Sequence, residues 1–201
     1  SEAAGLIGSD QIQNRSSLGG NLCNGSPAAD SVPAMVVNGA RAVVAGPNGT
    51  RVLDVAEVVT GPGETSLDAD EFIVEFEIDR MPARTGDAYL RMIPRTEMDI
   101  AVVGAGARIT LAEDGSIEQA ALALGAVAPT VVRVPDAETA LVGNTADDET
   151  LSAVANAASE ACNPIDDKRG TVAYRKQVAG VLAKRAVLIA IERAEQRNGT
   201  N

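Results

Sequence analysis

Apolar and polar positions along the chain follow two periods. Residues 71–78 alternate: Phe72, Val74, Phe76 and Ile78 fall on one face and Glu71, Glu75 and Glu77 on the other, which predicts a half-buried strand. Residues 42–45 and 50–53 read as short strands joined by Pro47-Asn48-Gly49, where Asn and Gly tolerate the positive φ of a hairpin turn. Gly61-Pro62-Gly63 is a turn. Three longer strands are predicted over residues 88–93, 100–111 and 117–127; Glu113-Asp114-Gly115 joins the last two, and Pro129 ends the series. Helical spacing governs the rest. Val32, Met35, Val36 and Ala40 recur behind Asp30 or Ser31 as an N-cap. A helix opens at Pro135 with acids in its first turn and closes at Gly143, and another runs over 147–161 to the stop at Asn163-Pro164. The last covers 171–197 with Val178, Val181, Leu182, Val187, Leu188 and Ile191 as its apolar stripe. The Gly-, Ser- and Asn-rich residues before Asp30 read as loop. Residues 80–86 hold Pro, Arg and Gly without a period and mark a boundary, giving expected domains 1–83 and 84–201 in an α+β fold.

Composition narrows the chemistry. The 201 residues carry 17 Lys and Arg against 28 Asp and Glu, a net charge of −11, with 45% apolar residues. That is globular composition and a poor match for nucleic acid, whose phosphates require clustered cations. Phe72, Phe76, Tyr89 and Tyr174 are the only aromatic residues, too few for a base-stacking platform. The absence of histidine removes His-dependent triads and His-ligated metal sites. Cys23 and Cys162 alone cannot hold an iron–sulfur cluster or a structural zinc, and read as reduced thiols of a cytoplasmic protein. The longest uncharged stretch, residues 119–132, is too short to span a bilayer. The opening residues are no signal peptide, so the Asn-x-Ser/Thr triplets at Asn14, Asn24, Asn48 and Asn198 read as chance matches. Residues 168–201 hold eight basic and two acidic residues. They read either as a solvated helix face or as a docking surface for an acidic partner, with Arg175 and Lys176 as its test positions.

Ile100-Ala-Val-Val-Gly104-Ala-Gly106 imitates the strand and first glycines of a dinucleotide-binding loop. Ile109 replaces the third glycine and a strand pattern follows where a helix should start. Gly104 and Gly106 therefore read as close-packing or bulge positions. Ser17-Leu18-Gly19-Gly20-Asn21 is the better anion site, because adjacent glycines can present several N–H groups with no side chain in the way. Asp30 could accept from ribose or ribitol hydroxyls, or simply cap its helix. Arg91, between Leu90 and Met92, requires an anion or a carboxylate; Arg95, Glu97 and Asp99, close in sequence, offer a purely structural ion-pair network as the alternative. No carboxylate pair points to general acid–base catalysis, so no catalytic residue and no metal site are assigned.

Several segments together resemble the FAD-binding medium subunit of the molybdenum hydroxylases, a family that includes aerobic carbon monoxide dehydrogenase and xanthine dehydrogenase. They are residues 7–21, Ser26-Pro27-Ala28-Ala29-Asp30-Ser31-Val32-Pro33, residues 67–78, Tyr89-Leu90-Arg91, and Arg95-Thr96-Glu97-Met98-Asp99-Ile100-Ala101. In the C-terminal part they are residues 124–130, Pro164-Ile165-Asp166-Asp167-Lys168-Arg169-Gly170 and Tyr174-Arg175. The resemblance implies the later part of a PCMH-type FAD domain followed by a small domain with a three-stranded antiparallel sheet and helices. It implies that Ser17, Gly19, Gly20 and Asn21 wrap the FAD pyrophosphate, that Cys23 and Asn24 line the cofactor, and that Asp30 meets its hydroxyls. Ile73 packs on the cofactor and Arg91 approaches the flavin. The implied role is electron transfer from iron–sulfur clusters of a small subunit, through FAD, to an acceptor, with hydroxylation at a molybdopterin large subunit. The family begins with a further subdomain carrying an Ala-Gly-Gly-type loop, which has no match here. The chain is thus expected to hold half of the pyrophosphate cradle and to be inactive by itself. The alternative is a flavin-free docking fragment that holds partner subunits.

Overall fold

The computed structural model describes residues 2–95 and 98–197; Thr96, Glu97 and the triplet at Asn198 lie outside them. The first half runs α1 (Glu2–Gly5), α2 (Asp10–Gln13), α3 (Leu18–Cys23), α4 (Ser31–Val37), β1 (Arg41–Gly46), β2 (Gly49–Asp54), α5 (Val55–Val58), β3 (Val59–Gly61), β4 (Glu64–Thr65) and β5 (Phe72–Glu77). The second runs β6 (Thr85–Met92), β7 (Val103–Leu111), β8 (Ile117–Gly125), β9 (Val132–Arg133), α6 (Pro135–Leu141), α7 (Asp148–Glu160) and α8 (Val172–Gln196). The fold is α+β, with antiparallel sheets ordered β2-β1-β5 and β6-β7-β8-β9 and a small β3-β4 pair. The three predicted long strands form the body of the second sheet, and the two-residue β9 extends its edge.

In β7 the residues alternate between the two sides of the sheet. Ala105, Ala107, Ile109 and Leu111 enter one buried cluster with Leu122 and Leu124 of β8 and with residues of α6, α7 and α8. The opposite side is stripped of bulk. A Cβ on Gly106 would lie 3.0 Å from the Pro33 carbonyl oxygen, and one on Gly125 would lie 3.0 Å from Pro33 Cγ. One on Gly104 would lie 2.5 Å from the Tyr89 hydroxyl. These glycines let α4 and Tyr89 settle directly on the sheet, the close-packing role read for Gly104 and Gly106. A second buried cluster, including Leu22, Val32, Met35, Ala42, Val55 and Val58, lies within the first half.

Two apolar stripes depart from their sequence pattern. β1 pairs with β5 through a register shift between Val43 and Val44, so that Val44 faces Ile73 while Ala42 faces Phe76. The irregularity puts Ile73 and Phe76, three residues apart, against the same cluster. Phe72 and Val74 are consequently exposed, where strict alternation places them inside, and Ile78, just past the end of β5, is exposed too. On α8 the buried face is built from Ala179, Ala183, Ala186, Ala190 and Ala194 with Leu182 and Val187, while Val181 and Leu188 are exposed. Small residues win the sheet-facing positions because α8 lies very close to β6: a Cβ on Gly86 would fall 2.1 Å from the Ala190 carbonyl oxygen.

Arg175, expected on a docking face, is only 4% exposed. Its Nη1 donates to the carbonyls of Val102 (2.7 Å) and Ala126 (3.1 Å), and its Nη2 donates to Asp167 Oδ1 at 2.7 Å. The backbone amide of Arg169 and then the Arg175 guanidinium hold Asp167 below the usual carboxylate range. The fork geometry matters here, because one group must reach carbonyls on one side and a carboxylate on the other. Arg175→Lys keeps the charge but cannot span both, and is expected to lower unfolding stability by about 1–3 kcal/mol, read from the urea midpoint.

Candidate functional site

The Ser17–Asn21 stretch is not the loop expected from its glycines. Ser17 is in an extended conformation (φ −126°, ψ 159°) and its Oγ accepts the Gly20 N–H at 3.0 Å, capping α3. Leu22, fully buried, anchors the short helix. It stops at Gly25 (φ +63°), whose carbonyl accepts the Gly63 N–H at 3.0 Å and where a Cβ would lie 2.8 Å from the Gly63 backbone. Ser17, Gly20 and Asn24 are exposed, and Gly19, Asn21 and Cys23 are half-buried. A Cβ on Gly20 would meet only Ser17 Oγ, at 3.1 Å, and one on Gly19 only the Phe76 ring, at 3.9 Å. The start of α3 is therefore an open surface free of side chains above Phe76, with the Leu18 and Gly19 amides preceding the helix's own hydrogen bonds.

Asn21 links this start to α4, accepting on Oδ1 from Ser31 Oγ at 2.6 Å. The next residue back, Asp30, is 6% exposed. It precedes α4 in helical conformation (φ −57°, ψ −34°) without a side-chain cap, so its capping role is not realised. Its Oδ1 instead accepts the Tyr89 hydroxyl at 2.7 Å and its Oδ2 accepts Arg91 Nη1 at 2.6 Å, with both charged side chains 8% exposed. Burial raises the Asp30 carboxyl above its ordinary range despite the two donors, and burial, then Asp30, pushes the Tyr89 phenol well up. Arg91 thus takes its carboxylate from Asp30, 61 residues away. The nearby network forms without it: Arg95 Nε lies 3.0 Å and Arg169 Nε 3.6 Å from the Asp99 carboxylate.

The structure brings together Ser17, Gly19, Gly20 and Asn21 on α3, Asp30 at the start of α4, and Arg91 on β6 through Ser31 and Tyr89. Ile73 faces inward beside Phe76 in the cluster that supports α3. Cys23 is a free thiol whose pKa burial raises; Cys162, also free, is pushed to about 11 by burial. Tyr89, Ser31 and Phe76 carry the assembly and were not singled out from sequence; the Tyr89-Leu90-Arg91 alternation, which puts residues 89 and 91 on one side of β6, was the available signal. Leu18, Ser31, Met35 and Tyr89 border a cleft of about 450 Å³. A second cleft of about 380 Å³ lies between Ser26-Pro27-Ala28 and Ile100, Ile165 and Arg169.

Residues 1–80 match the FAD binding domain of molybdopterin dehydrogenases, and residues 88–190 match the CO dehydrogenase flavoprotein C-terminal domain. The xanthine dehydrogenase FAD-binding subunit of Escherichia coli O157:H7 is 30% identical over 193 residues, 96% of this chain and 66% of the relative. The carbon monoxide dehydrogenase medium chain of Hydrogenophaga pseudoflava is 33% identical over 92% of this chain and 64% of the relative. A solved carbon monoxide dehydrogenase from the same organism superposes with a TM-score of 0.89 at 34% identity, covering 94% of this chain and 65% of that one. Quinoline 2-oxidoreductase from Pseudomonas putida 86 does so with a TM-score of 0.87 at 28% identity. The chain spans 64–66% of the length of the curated relatives compared here. With both halves matched in order and the fold shared, the chain belongs to the family of FAD-binding medium subunits of the molybdenum hydroxylases.

Proposed function

We propose that this chain acts as the flavin subunit of a multi-subunit molybdenum hydroxylase, relaying electrons from the iron–sulfur clusters of a small subunit through FAD to an acceptor. Substrate hydroxylation belongs to a molybdopterin large subunit. The two sequence matches support a division into a flavin-binding unit, residues 1–83, and a smaller unit, residues 84–201. The cytoplasm suits a chain with two free thiols and no helix, among the described residues, long and apolar enough to cross a membrane. FAD supplies the redox chemistry, so the chain's residues bind and orient rather than exchange protons.

The observation that carries this reading is the bare start of α3. A doubly charged pyrophosphate fits a surface that offers N–H groups and admits no side chain. Gly19 and Gly20 supply that surface, Ser17 and Asn21 flank it with short polar groups, and Cys23 and Asn24 continue it along the cofactor. Ile73 holds the supporting strand against the cluster beneath. Asp30 and Arg91 are committed to each other. Their part is then to fix the start of α4 and the end of β6 beside the flavin, and any hydroxyl contact uses the lone pairs that Asp30 has left.

Gly20→Glu tests the assignment, since it puts a carboxylate where the phosphates would lie and its Cβ meets only the exposed Ser17 Oγ, at 3.1 Å. Native assembly carrying it is expected to lose at least roughly tenfold in FAD occupancy, read from visible flavin absorbance per protein, with an unchanged unfolding midpoint. Full flavin occupancy in that variant would remove α3 from the cofactor site.

A further inference from the structure

α8 presents a second surface, built by the same alanine face that draws it onto the sheet. With alanines inside, larger apolar side chains are left outside: Val181 is 43% and Leu188 41% exposed, two turns apart on one stripe. Lys176, Lys184 and Arg185 flank them, and together they form one wall of an open groove of about 480 Å³ between α7 and α8. Gly180 sets its floor, where a Cβ would lie 2.7 Å from the Ala155 carbonyl oxygen, so the two helices meet with almost no intervening side chain.

The charges in this groove are unmatched. Arg41, Arg51, Arg91, Arg133, Arg175 and Arg193 each pair with a carboxylate of the chain, whereas Lys176, Lys184 and Arg185 form no ion pair among the described residues. A protein with 28 acids and 17 bases has carboxylates to spare for them, yet no Asp or Glu lines this groove. Unpaired cations around an apolar strip complement a partner with the reverse arrangement, carboxylates around apolar side chains. A nucleic acid fits poorly, because the net charge of −11 repels phosphate and no aromatic residue lines the groove.

We propose that the α7–α8 groove is the docking surface for another protein subunit, engaged through a segment rich in Asp and Glu. The inference rests on the reading of the chain as one subunit of an assembly. Lys184 and Arg185 steer and fix the register of the segment, and Val181 and Leu188 supply the apolar contact.

The native assembly is treated with a carbodiimide, which joins amines to carboxylates in direct contact, and linked peptides are identified by mass spectrometry. The expected result is Lys176 or Lys184 joined to Asp or Glu of a different subunit. In parallel, K184E/R185E is expected to lower recovery of that subunit roughly tenfold, with flavin absorbance per chain unchanged. Leu188→Gln, which removes apolar contact without touching charge, is expected to lower recovery in the same direction. An unfolding midpoint equal to that of the unsubstituted chain confirms that both variants fold. Links only to a second copy of this chain, or full partner recovery in both variants, would overturn the docking surface and leave the flavin reading standing. So would loss on substitution of binding to duplex DNA or to phosphatidylserine vesicles in place of a protein. An unsubstituted chain that purifies alone and without flavin would instead overturn the subunit reading itself.

Discussion

Arg91→Met is expected to destabilise the protein by about 3–5 kcal/mol at pH 7, because it strands the Asp30 carboxylate in a site where that side chain is only 8% exposed. Tyr89 remains as one donor, but a single phenol does not balance a buried charge. The loss has a pH signature. Burial already raises Asp30 in the intact protein, and removing the guanidinium raises it further. A carboxyl whose folded pKa lies above its unfolded value binds its proton more tightly in the folded state. Its contribution to stability is therefore worst above the folded pKa and improves as pH falls through it. The deficit of Arg91→Met relative to the unsubstituted protein should accordingly be largest near neutrality and shrink toward pH 5. Urea titrations of both proteins across that range check it. A deficit that stays constant with pH would mean that Asp30 keeps one protonation state across the range in both proteins. Asp30→Asn/Arg91→Met, which removes both charges, should recover much of the stability at pH 7.

The second large effect is expected at Gly86→Val. In β6 this residue faces the C-terminal third of α8, and a Cβ would lie 2.1 Å from the Ala190 carbonyl oxygen, 2.6 Å from the Ala194 amide nitrogen and 2.9 Å from Arg193 Cβ. Two of those atoms are helix backbone, which cannot turn aside as a side chain can. The C-terminal part of α8 would have to lift off the sheet, uncovering Ala186, Val187, Ala190 and Ala194. Ordinary overpacking costs about 1–3 kcal/mol, and this position is expected to exceed that. Gly86→Ala, with the same Cβ and nothing beyond it, should already lower the unfolding midpoint. A valine variant of unchanged midpoint would mean that the helix moves freely on the strand.

The sequence pattern was most legible where one local cause decides the outcome. The Pro47-Asn48-Gly49 hairpin, the Gly143 helix end and the Glu113-Asp114-Gly115 turn all follow from turn chemistry and appear as expected. The helix over Asp148–Glu160 likewise begins at its acidic cap, with Asp147 accepting from the Thr150 amide at 2.8 Å. Legibility failed where a neighbour decides. On α8 the distance to β6 selects alanine for the inner face, so hydrophobicity places Leu182 and Val187 correctly but misplaces Val181 and Leu188 and passes over the alanines. On β5 an extra residue, Val74, sits between the partners of Val43 and Val44, and this irregularity, which the alternation does not show, turns Phe72 and Val74 outward. At α3 the glycines argued for loop, but a capping serine and a buried leucine outweigh the roughly 1 kcal/mol that each glycine costs a helix.

The candidate site divides the same way. Ser17, Gly19, Gly20 and Asn21 are neighbours in sequence and stand together in space. The Asp30–Arg91 pair joins residues whose separation no local pattern reveals, and it consumes charges that sequence alone leaves free for a ligand.

The glycines of β7 and β8 beneath α4 carry a mechanical consequence. Pro33 rests on Gly106 and Gly125, and Tyr89 crosses Gly104 to reach Asp30. What joins the two halves is therefore a fitted joint of small residues beside the Asp30–Arg91 and Glu2–Arg193 ion pairs. Any side chain added there would have to be taken up by Pro33 or Tyr89, so the seating of one half on the other is set to within a few tenths of an ångström by the absence of three methyl groups.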